Sequence, residues 1–158
     1  IGLLLFGSVG TGKTFFAGCI ANALIDRCVP VLMTSLPRIL NALSGKYDMD
    51  RNEYINSLNR YDLLIIDDIG SERSTDYALE QIFTVIDARY RSGKPMIITT
   101  NLGLGDMKMA DIDKARIYDR ILEVCQPIAF QGKNYRKDIA QRKRLKAVQL
   151  LNEGTITN

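Results

Sequence analysis

Five short apolar runs recur along the chain, separated by stretches in which apolar residues return every three or four positions. The runs are Leu3-Leu4-Leu5-Phe6, Val31-Leu32-Met33-Thr34, Leu63-Leu64-Ile65-Ile66, Met96-Ile97-Ile98-Thr99-Thr100 and Pro127-Ile128-Ala129-Phe130. Short continuous apolar runs of this kind predict strands buried on both faces. After the first run, Phe16, Ile20, Ala23 and Leu24 fall at helical spacing. Leu36 to Leu43 predicts a helix with Pro37 in its first turn. Asp50 to Arg60 carries a weaker pattern, with Tyr54, Ile55 and Leu58 apolar. Ser74 to Arg91 is the strongest helix, with Leu79, Ile82, Phe83, Ile86 and Tyr90 on one stripe and Ser92-Gly93 as its stop. Asn101 to Gly105 reads as a turn, and about Asp111 to Val124 as a helix. Strands alternating with helices predict an α/β fold, a parallel sheet with helices on both faces.

The first run leads into Gly7-Ser8-Val9-Gly10-Thr11-Gly12-Lys13-Thr14, which fits the Walker A pattern G-x-x-x-x-G-K-[ST]. Strand before and helix after supply the context that pattern needs. The glycines let backbone N–H groups approach phosphate oxygens, and the helix start adds the positive end of its dipole. Lys13 is expected on the β- and γ-phosphates and Thr14 on Mg²⁺, with Phe15 completing the nucleotide-binding stretch. The third run ends in Asp67-Asp68, a Walker B pattern about 50 residues downstream. Asp67 is expected to hold Mg²⁺ directly or through water, and Asp68 to orient and activate the attacking water. Asn101, after the fourth run, either holds that water or the γ-phosphate, or merely starts a turn. Arg116 and Arg120 share a helix face. They reach a neighbouring subunit's nucleotide as arginine fingers, or they pair locally with Asp113, Asp119 or Glu123. Arg136 is a candidate phosphate contact within the same subunit.

Composition narrows the class. At 158 residues the chain is long enough for one domain with a real core. No apolar run is long enough to span a membrane. It has no histidine, which removes Ser-His and Cys-His chemistry and histidine metal sites. Cys19, Cys28 and Cys125 show no C-x-x-C spacing, so zinc and disulfide frameworks are not expected and a cytoplasmic setting fits. Cys19 falls in the first helical pattern and reads as core. From Gln131 onward seven basic residues face two acidic ones, a basic tail that suggests a polyanionic partner or a solvated helix face. The chain opens inside a strand, so an N-terminal part is expected before Ile1.

Five stretches together resemble the AAA+ ATPases: GSVGTGKT at 7–14, LLIIDDIGSER at 63–73, RYRSGKPMIITTN at 89–101, RIYDRILE at 116–123 and GKNYR at 132–136. Within that superfamily the chain is similar to the DnaC/DnaI-type helicase loaders, with the IstB transposition helpers as relatives. The resemblance implies a three-layer P-loop NTPase with a five-stranded sheet in the order 5-1-4-3-2 and no full C-terminal lid. It implies an AAA+ domain over 1–136, a basic tail over 137–158, and a partner-binding domain outside this chain. It makes Asn101 a sensor 1 residue, Arg120 the usual finger with Arg116 beside it, and Arg136 a sensor 2 arginine. Two departures stand out. Asn134 replaces a frequent Ser, and Asp68 stands where many AAA+ enzymes have Glu. The resemblance further implies slow Mg²⁺-dependent hydrolysis of ATP to ADP, self-association, and action on single-stranded DNA and a replicative DNA helicase. Residues 37–60 would supply a DNA-contacting element through Arg38, Lys46, Arg51, Arg60, Tyr47 and Tyr54, or else plain packing helices. An IstB-like transposition helper and a nucleotide-gated adaptor that barely turns over are the alternatives.

Overall fold

The computed structural model describes residues 2–70 and 75–154, the last four of these as backbone only. Its elements are β1 (Gly2–Phe6), α1 (Lys13–Ile25), β2 (Val31–Ser35), α2 (Leu36–Leu43), α3 (Asp48–Leu58), β3 (Leu63–Ile69), α4 (Asp76–Arg91), β4 (Met96–Thr100), α5 (Leu104–Lys108), α6 (Ile112–Val124), β5 (Cys125–Ala129) and α7 (Tyr135–Gly154). The five strands form one sheet in the order β2-β3-β4-β1-β5, every neighbouring pair parallel. This is the expected order read from the other edge.

That order and the right-handed crossover rule together dictate where the helices go. The step from β1 to β2 runs one way across the sheet, whereas the steps β2 to β3, β3 to β4 and β4 to β5 run the other way. One face therefore receives α1, and the opposite face receives α2 to α6. Alternate strand residues divide accordingly. Leu5, Leu63, Ile65 and Ile97 pack with Ala17 and Ala21 of α1. Leu4, Leu64, Ile66 and Ile98 pack with Ile39, Ile82, Ile86, Ile117 and Ile121 of α2, α4 and α6. Connections leaving β1 and β4, which are neighbours, go to opposite faces. The crevice beyond their carboxyl ends is the topological switch point, where ligands of open α/β sheets bind.

Several elements differ from the sequence expectation. On α1 the fully buried stripe is Lys13, Ala17 and Ala21, because small residues let the helix lie close to the sheet, while Phe16 is 42% exposed. Cys19 is exposed rather than core, and Cys125 is the buried thiol, its pKa pushed up to about 12 by burial. β3 runs on through Asp67 and Asp68 to Ile69. The 101–105 turn gives way to α5, whose start is capped by Asp106 accepting the Gly103 N–H at 2.9 Å. The segment expected as a tail is α7, so residue 137 lies inside a helix, and its side chains from Ile139 to Leu150 are exposed. β5 begins at Cys125, and Pro127 is tolerated because β5 is an edge strand. Helix α4 is capped by Thr75, whose hydroxyl accepts the Ala78 N–H at 3.2 Å. Its expected first residue, Ser74, and positions 71–73 of the 63–73 stretch lie outside the described residues.

One buried cation ties the sheet's lower edge together. Arg89 of α4 is 0% exposed. Its Nη1 donates to the Tyr61 carbonyl at 2.9 Å, and its Nη2 donates to the carbonyls of Asp62 at 3.1 Å and Pro95 at 2.6 Å. A guanidinium can serve three carbonyls at once because its donors spread in a fixed fork. The chain entering β3 and the chain entering β4 are thereby fastened to the same helix. Burial draws the Arg89 pKa down, and the nearby Asp62 carboxylate offsets part of that.

Candidate active site

The loop after β1 takes its shape from what surrounds it. A side chain at Gly7 would run into the Phe130 carbonyl, and one at Gly10, where φ is +83°, into the Asn134 amide. Larger residues would push the loop off its supports. The Gly10 carbonyl accepts the Tyr135 N–H at 3.0 Å, so the loop is docked on the start of α7. Asn134 caps that helix, its Oδ1 accepting the N–H groups of Arg136 at 3.1 Å and Lys137 at 3.2 Å. Helix α1 opens at Lys13 directly after Gly12. Lys13 is 6% exposed, and its Nζ donates to the carbonyls of Gly7 at 2.7 Å and Ser8 at 2.8 Å. An ammonium has three donors, so the third is left for an anion. Burial lowers the Lys13 pKa most; Asp68 opposes this, Arg136 adds to it and Asp67 opposes it.

The two acids reach the same cavity through a backbone irregularity. Strict alternation would send Asp67 and Asp68 to opposite faces of the sheet. Ile66 pairs with Ile98, but the next paired residues are Ile69 and Thr100, so β3 carries one extra residue there. Asp68 has φ of +61°, the left-handed region, which Asp enters more readily than most residues. The bulge carries Ile69 back to the α4 face and turns Asp68 into the crevice beside Asp67. Asp67 Oδ1 accepts the hydroxyls of Thr14 at 2.9 Å and Thr99 at 2.6 Å. Asp68 Oδ1 accepts the Asn101 amide at 2.8 Å.

These groups line a cavity of about 650 Å³. Its polar lining comes from residues 10–14, Asp67, Asp68, Thr99, Asn101 and Arg136, and its apolar lining from Val9, Phe15, Phe16, Phe130, Tyr135 and Ile139. Phe16 and Phe130 meet with ring centroids 5.5 Å apart. The structure thus gathers Val9 to Phe15, Asp67, Asp68, Asn101 and Arg136 at one place, with the carbonyls of Gly7 and Ser8 behind Lys13. Phe16, Thr99, Phe130, Tyr135 and Ile139 were not foreseen, since apolar and β-branched residues at those positions read as ordinary packing. Thr14 and Asp67 offer a hydroxyl and a carboxylate 2.9 Å apart, the oxygen donors that suit Mg²⁺. Among the described residues no group of three or more His, Cys, Asp and Glu is placed to hold a metal.

A strand-loop-helix phosphate cradle with these acids matches a known arrangement. The sequence model of one family, described as IstB-like ATP binding protein, matches residues 2–145. The chain belongs to that family. Among curated proteins it is similar to the replicative helicase loader DnaI of Bacillus subtilis (strain 168), 28% identical over 147 residues, which covers 85% of this chain and 47% of that protein. It is also similar to the replicative helicase loader DnaC of Escherichia coli (strain K12), 31% identical over 104 residues, 64% of this chain and 42% of that one. The crystal structure of DnaI matches with a TM-score of 0.69 at 28% identity, over 84% of this chain and 71% of that chain. The chain spans less than half the length of these two curated relatives. Its fold is the P-loop AAA+ core.

Both departures from the AAA+ pattern have a local reason in this IstB-like chain. Asn134 acts as a helix cap, a role that Ser fills equally well. Asp at 68 suits a left-handed backbone better than the longer Glu does. The two α6 arginines of this IstB-like core do not line its own cavity. Arg120 lies over Tyr90 at 4.6 Å and pairs with Glu123 at 3.1 Å and Asp87 at 3.5 Å. Glu123 also accepts the Tyr90 hydroxyl at 2.7 Å, which draws the Glu123 pKa down and the Tyr90 pKa up. Arg116 lies over Phe83 at 4.6 Å. Between β2 and β3, helices α2 and α3 bury Ile39, Leu43, Ile55 and Leu58 in the core, and Tyr54 packs against it. Arg51 pairs with Asp48 at 3.4 Å and lies over Tyr77, leaving Tyr47, 84% exposed, as the open aromatic there. No described helix is long and apolar enough to cross a membrane.

Proposed function

We propose that this chain is the ATPase core of a helicase loader: it binds ATP with Mg²⁺, hydrolyses it slowly to ADP, and acts in DNA replication on single-stranded DNA and a replicative helicase. The observation that supports this most is the convergence on one cavity of the loop amides, Lys13, the Thr14–Asp67 pair, the Asp68–Asn101 pair and Arg136. In this reading the loop amides and Lys13 bind the phosphates, and the apolar lining takes the purine. Thr14 and Asp67 hold Mg²⁺, which neutralises charge on the phosphates when bound. Asp68 takes a proton from the attacking water, with Asn101 fixing its carboxylate. Arg136 lies against the phosphates of its own subunit. The DnaI and DnaC relatives are named as loaders, and that supports the partners proposed.

Arg120 and Arg116, outside their own cavity, act on a neighbour's nucleotide in this account, so chains must associate. Turnover per chain should then rise with protein concentration and with single-stranded DNA. Arg120→Ala should lower the high-concentration rate at least tenfold, given that arginine fingers are worth roughly 10³–10⁵. A rate at high concentration that Arg120→Ala leaves unchanged would remove the finger. A second reading starts from the family's description as IstB-like: a helper that acts on a transposase and double-stranded DNA. Footprinting on single- and double-stranded DNA separates the two, because a loader should protect the single strand.

A further inference from the structure

We infer that Thr99 is a positioning residue for the ATPase reaction, its hydroxyl holding Asp67 in its metal-facing pose and fixing the bulge that presents Asp68. This rests on the ATPase reading above. Thr99 sits on β4, opposite Leu5 of β1, on the face that α1 covers. It is 1% exposed. A hydroxyl has one proton to give and lone pairs to receive. Thr99 gives its proton to Asp67 Oδ1 at 2.6 Å and receives the Asp68 N–H at 2.8 Å. The second bond replaces a ladder bond, since the bulge takes Asp68 out of register with the β4 backbone. A single side chain thus grips both acids, one through its carboxylate and the other through its backbone.

The two hydroxyls on Asp67 have different duties. Thr14 can turn a lone pair to the metal while its proton stays on Asp67. Thr99 lies on the sheet side and is bound by its neighbours alone. Both hydroxyls use Oδ1, so among the described residues Oδ2 carries no protein hydrogen bond and is the oxygen left for the metal or its water. Without Thr99, Asp67 keeps only the Thr14 hydroxyl on Oδ1, and the left-handed turn at Asp68 loses the Thr99 bond to its N–H. Thr99 is buried and the two acids are half-buried, so water replaces the lost bonds only in part.

The test compares Thr99→Val, Thr99→Ala and Thr99→Ser with the wild-type chain. Binding of a fluorescent ATP analogue is followed as Mg²⁺ is titrated, and turnover is measured at saturating Mg²⁺ and ATP. Outer partners of metal ligands are typically worth 10–100-fold, so Val and Ala should raise the Mg²⁺ half-saturation and lower kcat at least tenfold each. Analogue binding in EDTA should match wild type for all three variants, and Ser should restore both Mg²⁺ response and kcat. Thr99→Ala removes the hydroxyl without adding bulk, so it decides the matter if Thr99→Val lacks a cooperative thermal transition. Wild-type Mg²⁺ response and kcat in Thr99→Ala would overturn the inference, as would failure of Ser to restore them. A wild-type chain that binds no analogue at any Mg²⁺ would remove the ATPase reading itself, and this inference with it.

Discussion

Asp68→Asn should reduce ATP turnover by about 10²–10⁴-fold, the usual worth of a positioned general base, while ATP still binds. The substitution keeps the backbone and the bond to Asn101 while removing the charge. Asn accepts the left-handed backbone at 68 as readily as Asp. Its amide oxygen can still receive the Asn101 N–H that Asp68 Oδ1 receives at 2.8 Å. What disappears is the carboxylate proposed to take a proton from water. Single-turnover hydrolysis, with enzyme in excess over labelled ATP, separates this from slow product release. A single-turnover rate equal to wild type would mean that Asp68 is not the base, and would shift attention to a nucleotide-gated adaptor with another purpose for the cavity.

Arg89→Ala should be the most destabilising substitution among those considered. It strands the Tyr61 and Asp62 carbonyls that the guanidinium now serves and leaves that of Pro95 with only the Leu64 N–H at 3.5 Å. An orphaned shielded acceptor costs about 1–3 kcal/mol, and partial rehydration trims that, so about 3–5 kcal/mol is expected. For a domain this size, whose total stability is of order 5–15 kcal/mol, that is a large share. Each kcal/mol lowers Tm by roughly 2–4 °C here, so a fall of about 6–20 °C should appear in a thermal melt. Arg89→Lys keeps the charge but not the fork, and should fall between. A melt within a degree or two of wild type for Arg89→Ala would show that the three carbonyls find water freely.

The parts of the fold that could be read from the sequence are those where composition and geometry agree. Buried parallel strands must be apolar throughout, so the runs at 3–6, 63–66 and 96–100 are visible as strands. A phosphate loop needs glycines and a lysine in fixed order, so residues 7–14 announce themselves. The bulge at Asp68 is another matter. Alternation alone places Asp67 and Asp68 on opposite faces, and only a left-handed residue in mid-strand brings both to the cavity. The role of Arg89 left no mark in the sequence, because a guanidinium satisfied by carbonyls needs no acidic partner. Helix α7 was legible only as one of two readings of the basic tail. Its Ala, Gln, Lys, Arg and Leu favour helix by propensity, yet apolar and basic residues are mixed around its circumference and form no stripe to read. Phe130 enters the cavity through its N–H bond to the Phe6 carbonyl at 2.7 Å, and Tyr135 and Ile139 enter it because the Gly10 carbonyl holds the start of α7, a contact across more than 120 residues of chain.

Calorimetric titration of the purified chain with ATP, in Mg²⁺ and in EDTA, bears most directly on whether residues 7–14 cradle a triphosphate. The account predicts saturable binding at one site per chain, tighter with Mg²⁺, and at least tenfold weaker in Lys13→Ala, since a charge-assisted hydrogen bond contributes about 1.5–3 kcal/mol. No measurable binding by the wild-type chain, or equal affinity in Lys13→Ala, would contradict it.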